Sequence, residues 1–589
     1  MTKLPTFTSM RELRYGRDPR LDAWLLHFMT ENNIEPTVRP GENAQLEQLR
    51  FMVDLDDDQV FVPCSDEMFE NLLHARMSSV LQEEYRSKWR TLVHLVRINI
   101  EDRYTRRKIF ALSRHKMNST LHTPFLIPSR FLKQLLTIFM AMSGVHDPQR
   151  MEKHLANKQA LEFIQSAALG RYLYSCPDST LGCTSINSLR WELDLMELSR
   201  LCRLGLHPDI WNASCPNCDP QEFHNLVCAP WPEFSAIFTQ LMGPETRQKQ
   251  LKILFLPDES GEIIFDLHFI RVLIRLGHKI ILAFKEGFFL NHPQVWDVEH
   301  DPALKAALDD ALFVENSRMS KNELLRAQRE NPLLVISDGT RERMNLWRTS
   351  VTFARAWKEA DLIIAKGYPN YRRFILNSHL FTRDILCLFR DHTGCEQIAF
   401  KEKSPRITKI TELQIVAQAD AIIAGMRQAR SLGKQVMFYS AIIGSIPGQT
   451  QVALKVVNTF VAQLRSKHTN IYIINPAEHF VPGMDGDDLM YMWERVQRSG
   501  CINVWRFQTV SDIETSFELM GEAVPAQWHG KDATFSTGCT KEMHIALDVQ
   551  NTHPEMQIIG PDPKRFFRRM EYGVGKYFDA RISEKGRSA

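Results

Sequence analysis

Four short blocks between positions 250 and 375 carry residue types able to do chemistry. The first reads Leu256-Pro257-Asp258-Glu259-Ser260-Gly261-Glu262, after an apolar run and before an amphipathic stretch. Three carboxylates at one such turn repel one another unless something positive lies among them. A divalent cation suits carboxylate oxygens, and a helix N-terminus beside it favours an anion such as a phosphate. N-capping by Asp258 or Ser260, with Glu262 in the first turn, explains the same residues without any ligand. The second block is Lys285-Glu286-Gly287-Phe288-Phe289-Leu290-Asn291-His292, with Asp297 five residues on. His292 offers an imidazole to the same cation or is an ordinary loop histidine. The third, Ser337-Asp338-Gly339-Thr340, is turn chemistry first and a site candidate second, through Asp338. The fourth, Ala365-Lys366-Gly367-Tyr368-Pro369-Asn370, offers the Lys366 ammonium to a phosphoryl group as a point charge, or is a solvated turn.

In this order and spacing the blocks resemble the metal-dependent damage-control phosphatases, among them the ARMT-like proteins. Asp258, Gly261, Glu262 and Asp266 match that family's first motif, and Lys285, Gly287, Asn291 and Asp297 its second. Ala360, Asp361, Leu362, Lys366, Gly367 and Asn370 match the third, which is the most specific. The resemblance implies a phosphomonoester hydrolase that uses one divalent metal on a sugar phosphate or other small phosphorylated metabolite. By position it gives the metal to Asp258, Glu259 and His292, and the substrate phosphate to Glu262, Lys366 and Asn370. Glu262, Lys366 and Asp338 are the expected catalytic residues. Two positions depart from the family pattern: Glu259 stands in place of Asn, and His292 in place of Asp. Both are still ligand types, and a histidine shifts the expected ion to Mn, Ni, Co or Fe rather than Mg. The departures also leave open a catalytically degenerate phosphatase fold that binds a ligand or scaffolds a partner. A carboxyl methyltransferase would need a Gly-rich nucleotide turn, and the 258–262 block is too acidic for one.

These residues need a sheet to position them. Lys252–Leu256, Lys279–Phe284, Leu333–Ser337 and Leu362–Ala365 read as strands alternating with helices, one of which runs to Leu276 and stops at Gly277. That alternation predicts a parallel α/β sheet, with ligands at the carboxyl ends of its strands. Residues 1–240 read as mostly helical, with one long helix over Asp66–Arg103 and further helical segments at Phe131–Met142 and Trp191–Leu204. Residues 241–400 form the phosphatase-like α/β domain, and the charged stretch Lys401–Thr408 reads as a linker. Strands at Val436–Ser440, Ile471–Asn475 and Ile502–Phe507, with helices at Gln451–Arg465 and Leu489–Arg498, place a second α/β domain of unassigned role in 405–589.

Of the 589 residues 44% are apolar and 24% charged, an ordinary globular balance. Seventy-two basic against seventy acidic residues leave a net charge of +2, which argues against nucleic acid or an anionic membrane as the partner. No apolar run approaches the roughly 20 residues that span a bilayer. The N-terminus lacks an apolar signal region, so a cytoplasmic location is expected. Eleven cysteines, an odd number, suit free thiols in a reducing compartment. Cys215-Pro216-Asn217-Cys218, with His224 and Cys228, has zinc-knuckle spacing but only one pair, so free thiols are favoured. Gly444–Thr450 sits where a phosphate cradle could form but lacks the Gly-Lys-Ser/Thr of a P-loop. Asp485, Asp487 and Asp488 do not make an EF-hand, Cys539 is a weak nucleophile candidate, and Lys564–Arg569 reads as a basic helix face with a buried Phe edge.

Overall fold

A computed structural model describes residues 7–571 except 8, 35–44, 57, 74–76, 124, 177–179, 181, 212–226, 245–249, 447 and 480–482. Two compact units divide the chain, Met1–Ile407 and Thr408–Ala589.

After a helix at Pro19–Glu31, the helical part of the first unit includes α1 (Asp66–Leu73), α2 (Ser79–Asn99), α3 (Arg103–His122), α4 (Pro128–Ser143), α5 (Arg150–Ile164) and α6 (Ile186–Leu206). The long helix expected over Asp66–Arg103 is therefore two. Apolar spacing runs on across the break, but Ser78 caps α2 by accepting from Leu81 N, and Asp102 caps α3 in the same way from Tyr104 N and Thr105 N.

The sheet of this unit has strands β1 (Lys252–Leu256), β2 (Lys279–Phe284), β3 (Leu312–Val314), β4 (Leu333–Ser337), β5 (Leu362–Lys366), β6 (Asp384–Arg390) and β7 (Glu396–Lys401). Their order is β3-β4-β2-β1-β5-β6-β7. All neighbours are parallel except β6 and β7. Continuous apolar runs such as Ile253-Leu254-Phe255-Leu256 suit strands covered on both faces. The β6–β7 hairpin was missed, although Ile385–Phe389 of β6 is an unbroken buried apolar run. β7 is a half-exposed edge strand with a weak apolar signal, and Lys401, expected to open a linker, closes it and donates to Phe374 O at 2.9 Å.

From β1 the chain winds outward through β2, β3 and β4, then returns to the other side of β1 as β5. The carboxyl ends of β1 and β5 thus border a topological switch point, where sheets of this kind open a crevice. Helix α7 (Glu262–Arg275) follows β1 and packs on α6, joining Leu198, Leu201 and Phe265 to Phe255 and Leu282 in one core. A second core gathers α1 to α4 around Phe288 and Phe289, which anchors the loop that carries Asn291 and His292.

The second unit holds a four-stranded parallel sheet, β8 (Gln435–Ser440), β9 (Ile471–Ile474), β10 (Val504–Phe507) and β11 (Gln557–Ile559), in the order β9-β8-β10-β11. Helices α9 (Glu412–Ser431), α10 (Thr450–Lys467), α11 (Gly486–Gln497), α12 (Val510–Met520) and α13 (Thr537–Thr552) accompany it, α8 (Tyr368–Phe374) lying in the first unit after β5. Both units are α/β, as the sequence alternation predicts. Among the described residues no helix is long and apolar enough to cross a membrane.

Candidate functional site

The turn after β1 places Asp258 at the switch point, with its side chain largely buried. Gly367 ends β5 directly against it. A Cβ on Gly367 would lie 1.8 Å from Asp258 Oδ2, and its φ of +89° with ψ of 148° belongs to glycine. The third motif thus contributes a close backbone approach as well as a lysine.

His292 comes from the loop after β2 and is 5% exposed. Its Nδ1 lies 3.7 Å from Asp258 Oδ1. Arg343, from the loop after β4, completes the group: its Nη1 donates to His292 Nε2 at 2.7 Å and lies 3.5 Å from Asp258 Oδ1. The guanidinium also covers the Phe289 ring at 5.2 Å, and that ring stacks on His292 at 5.5 Å. Packing from the helical core therefore fixes both the arginine and the imidazole.

Lys366 turns inward. Its ammonium donates to Asp266 Oδ1 at 2.8 Å and lies 3.9 Å from Glu262 Oε2, while Gly205 of α6 leaves the room it needs. At 1% exposure it is neither a solvated turn lysine nor open to the solvent edge of the crevice. Asn370 donates from Nδ2 to Lys366 O at 2.8 Å and so ties the first turn of α8 to the strand end. Asp338 is held by Lys285, whose Nζ donates to its Oδ2 at 2.6 Å, and by Thr340, whose backbone N donates to Oδ1 at 2.7 Å. A small cavity of about 20 Å³ joins Lys285, His292, Asp338, Arg343 and Asn370. Asp297 stands apart, paired with Lys153 at 2.8 Å.

Burial sets the ionisation of this group. It pushes the Asp258 carboxyl up to about 7, with Arg343 pulling the other way. It raises Glu262 well above the usual carboxylate range and raises Asp266, against the pull of Lys366 in both. Burial, then Arg343 and Lys285, hold His292 well below the ordinary imidazole value, so it is neutral. Burial opposes the charge on Lys366, but Asp266 and Glu262 outweigh it and raise its pKa.

The structure thus brings Asp258 and His292 together, and Glu262 beside Lys366. It leaves Glu259 outside: that residue is exposed, and its Oε2 accepts from Asn291 Nδ2 at 3.5 Å. Among the described residues no three His, Cys, Asp or Glu side chains are grouped so as to hold a metal ion. Asp258, Glu259 and His292 have the right donor chemistry for a divalent ion. As placed they do not fit one, because Arg343 takes the His292 Nε2 lone pair that would ligate it. Sequence reasoning missed Arg343 altogether. The signal was there: a cation four residues past Gly339, just beyond a third strand end. It also missed Asp266 as the principal partner of Lys366.

Residues 55–400 match the damage-control phosphatase ARMT1-like domain, more than half of the chain. The chain belongs to that family. Members of the damage-control phosphatase family are phosphatase-like hydrolases, in general dependent on a divalent metal. A solved structure of a DUF89 family protein from Pyrococcus horikoshii matches with 18% identity and a TM-score of 0.36, over 54% of this chain and 92% of that one. Among curated proteins none matches.

The remaining sequence candidates lie elsewhere. Cys215, Cys218 and His224 fall outside the described residues, and Cys228 faces Tyr172 O at 3.8 Å. Asp485 caps α11 by accepting from Asp487 N and Asp488 N at 2.9 Å. Cys539 is buried at the start of α13, and burial raises its thiol well above the usual range, against a nucleophilic role.

Proposed function

We propose that the first unit is a phosphomonoester hydrolase site for a small phosphorylated metabolite, at the carboxyl ends of β1, β2, β4 and β5. One observation carries the reading. Asp258, His292 and Arg343 come from three different strand ends and meet within 3.7 Å of one another at the switch point. Arg343 would bind a phosphoryl oxygen and offset the charge that develops on it. Asp258 would orient the arginine and face the reacting group, and His292, held neutral, would fix both. Lys366, with Glu262 and Asp266 around it, and Asn370 would set the geometry of the strand end. No step is assigned to a metal ion, since the residues as placed do not form its ligand set. Free cysteines among the described residues suit a cytoplasmic setting.

Hydrolysis of p-nitrophenyl phosphate by wild type and Asp258→Ala, with EDTA and with a panel of divalent ions, tests this. Activity in wild type, and its loss in the variant with thermal unfolding unchanged, is expected. Equal activity in both proteins would remove Asp258 from the reaction. The contact of Arg343 with His292 Nε2 also favours a second reading, phosphate binding without turnover. Phosphate affinity with no hydrolysis under any ion would select it.

A further inference from the structure

We propose that Arg343 stands in the place of a metal ion, so that the crevice and the cavity beside it bind a phosphate oxyanion with no divalent cation. The inference rests on the phosphate reading above and concerns how that phosphate is held.

A guanidinium has donors and no acceptor. At 2.7 Å, then, His292 Nε2 must be accepting from Arg343, which leaves the imidazole proton on Nδ1, towards Asp258 Oδ1. The lone pair an ion would need is already used. Arg343 also lies 3.5 Å from Asp258 Oδ1, so one cation serves both of the buried groups that an ion would bridge. The contact is built in: Phe289, buried in the helical core, supports the face of the guanidinium. The neutralising charge that Asp258 needs is thus part of the chain.

The other side of Arg343 lines a cavity of about 270 Å³ between the helical layer and the first turn of α8. Its basic wall is Lys88, Arg343, Arg372 and Arg373. Glu84 answers two of these, pairing with Arg372 at 2.8 Å and Lys88 at 3.4 Å. Arg373 is different. Its Nη2 donates to Ser129 Oγ at 2.8 Å, while its Nε is buried with no hydrogen-bond partner. A buried donor left unpaired is costly, and an oxyanion is the natural acceptor. Burial first, and then the neighbouring Arg343, pull the Arg373 guanidinium down to about 9. Apolar residues Met68, Leu132 and Phe289 line the rest of the cavity, so the ligand class is a phosphomonoester with a compact, partly apolar remainder.

The test is a titration of full-length protein with inorganic phosphate by calorimetry, in EDTA and in Mn²⁺, together with the metal content after dialysis against Mn²⁺. Wild type is expected to bind phosphate equally in both buffers and to retain no stoichiometric metal. Arg343→Ala should lose phosphate affinity at least tenfold in EDTA and gain retained Mn²⁺, because Asp258 and His292 are freed. Arg343→Lys keeps the charge without the fork and should fall between, which preserves the test if the alanine variant fails to fold. Stoichiometric Mn²⁺ in wild type with phosphate binding only in its presence would overturn the arginine proposal and leave the phosphate site standing. No phosphate binding in either buffer would overturn both.

Discussion

Each unit of this chain ends a parallel sheet in a buried carboxylate, and the two neutralise it by different means. In the first unit Asp266 and Glu262 share the ammonium of Lys366, and Asp258 faces the guanidinium of Arg343. In the second, Glu542 lies on α13 among neutral groups: Gln497 Nε2 donates to it at 3.0 Å, and Ser440 and Cys539 are its other hydrogen-bonding neighbours. There burial pushes the carboxyl up to about 7, as it does Asp258 in the first unit, but no cation stands beside it to pull the other way. The surroundings hold further neutral pairs, Trp505 Nε1 to Ser440 Oγ at 2.8 Å and Ile442 N to Gln508 Oε1 at 3.0 Å, while Gln497 Oε1 and Gln508 Nε2 are buried without a partner. A carboxyl held only by neutral groups presents no cation to a ligand. A fixed cation satisfies it and still presents donors to an anion. The same architecture thus yields a charged crevice in one unit and a neutral polar cluster in the other.

That contrast predicts its largest effect at Lys366. Replacing it by Met leaves Asp266 and Glu262 buried without their cation, and removing one partner of such a pair costs about 3–5 kcal/mol. Chemical denaturation of Lys366→Met should show that loss, with most of it recovered by adding Asp266→Asn. A single variant within about 1 kcal/mol of wild type would show that Lys366 is not what holds these carboxylates, and the contrast would dissolve.

The second effect is a pH dependence of the other unit, which Glu542 sets there without a cation as Asp258 does in the first beside Arg343. Folded Glu542 keeps its proton to about 7, against an ordinary value of 4.5. Between those values the folded state binds more protons than the unfolded, so raising the pH destabilises it. The stabilisation is complete below the unfolded value, is lost as the pH rises to about 7, and amounts to about 3 kcal/mol. Glu542→Gln should flatten this part of the profile between pH 5 and pH 8 in thermal unfolding followed at α13 by hydrogen exchange. An unaltered profile would mean that Glu542 finds a cation when it ionises.

How far these differences could be read from residues alone follows from the range of the forces involved. β1, β2 and β4 were legible because buried parallel strands are unbroken apolar runs, and Asp258 because it sits two residues past one, whereas His292, eight residues past Phe284, was pointed to chiefly by the family pattern. β7 and β11 were not, since half-exposed edge strands carry no comparable pattern. Arg343 escaped because its role depends on Phe289 and on two strand ends 51 and 85 positions away in sequence. The inward turn of Lys366 escaped for a similar reason: it needs Gly205 on a helix from the far half of the unit. Glu259 was misplaced for the opposite reason. The family pattern put it beside Asp258, but consecutive residues at a turn need not share a face, and only Asp258 points into the crevice.

A third effect, smaller in stability and sharper in function, is expected at Gly367. Alanine there must adopt a backbone region that only glycine enters freely, at about 1–3 kcal/mol. Its methyl would also displace the Asp258 carboxylate, which lies 1.8 Å from the Cβ position. Phosphate affinity should fall at least tenfold while the second unit unfolds as in wild type. Unchanged affinity would show that the position of Asp258 is not what holds the crevice together.

The smallest effect belongs to charges that neither unit buries. In the second unit Arg495 Nε pairs with Asp420 Oδ1 at 2.9 Å, with about half of each side chain exposed. Water already solvates both groups, and salt screens what remains of their attraction, so pairs of this kind contribute roughly 0–1 kcal/mol. Arg495→Ala should lower stability by no more than that, and raising the ionic strength should erase the difference. Lys366→Met, by contrast, should lose about the same amount at low and high salt, because its partners lie beyond the reach of counterions. If Arg495→Ala cost as much as Lys366→Met, burial would not be the variable that separates the two sheets' carboxylates, and charge pairing alone would have to explain the crevice.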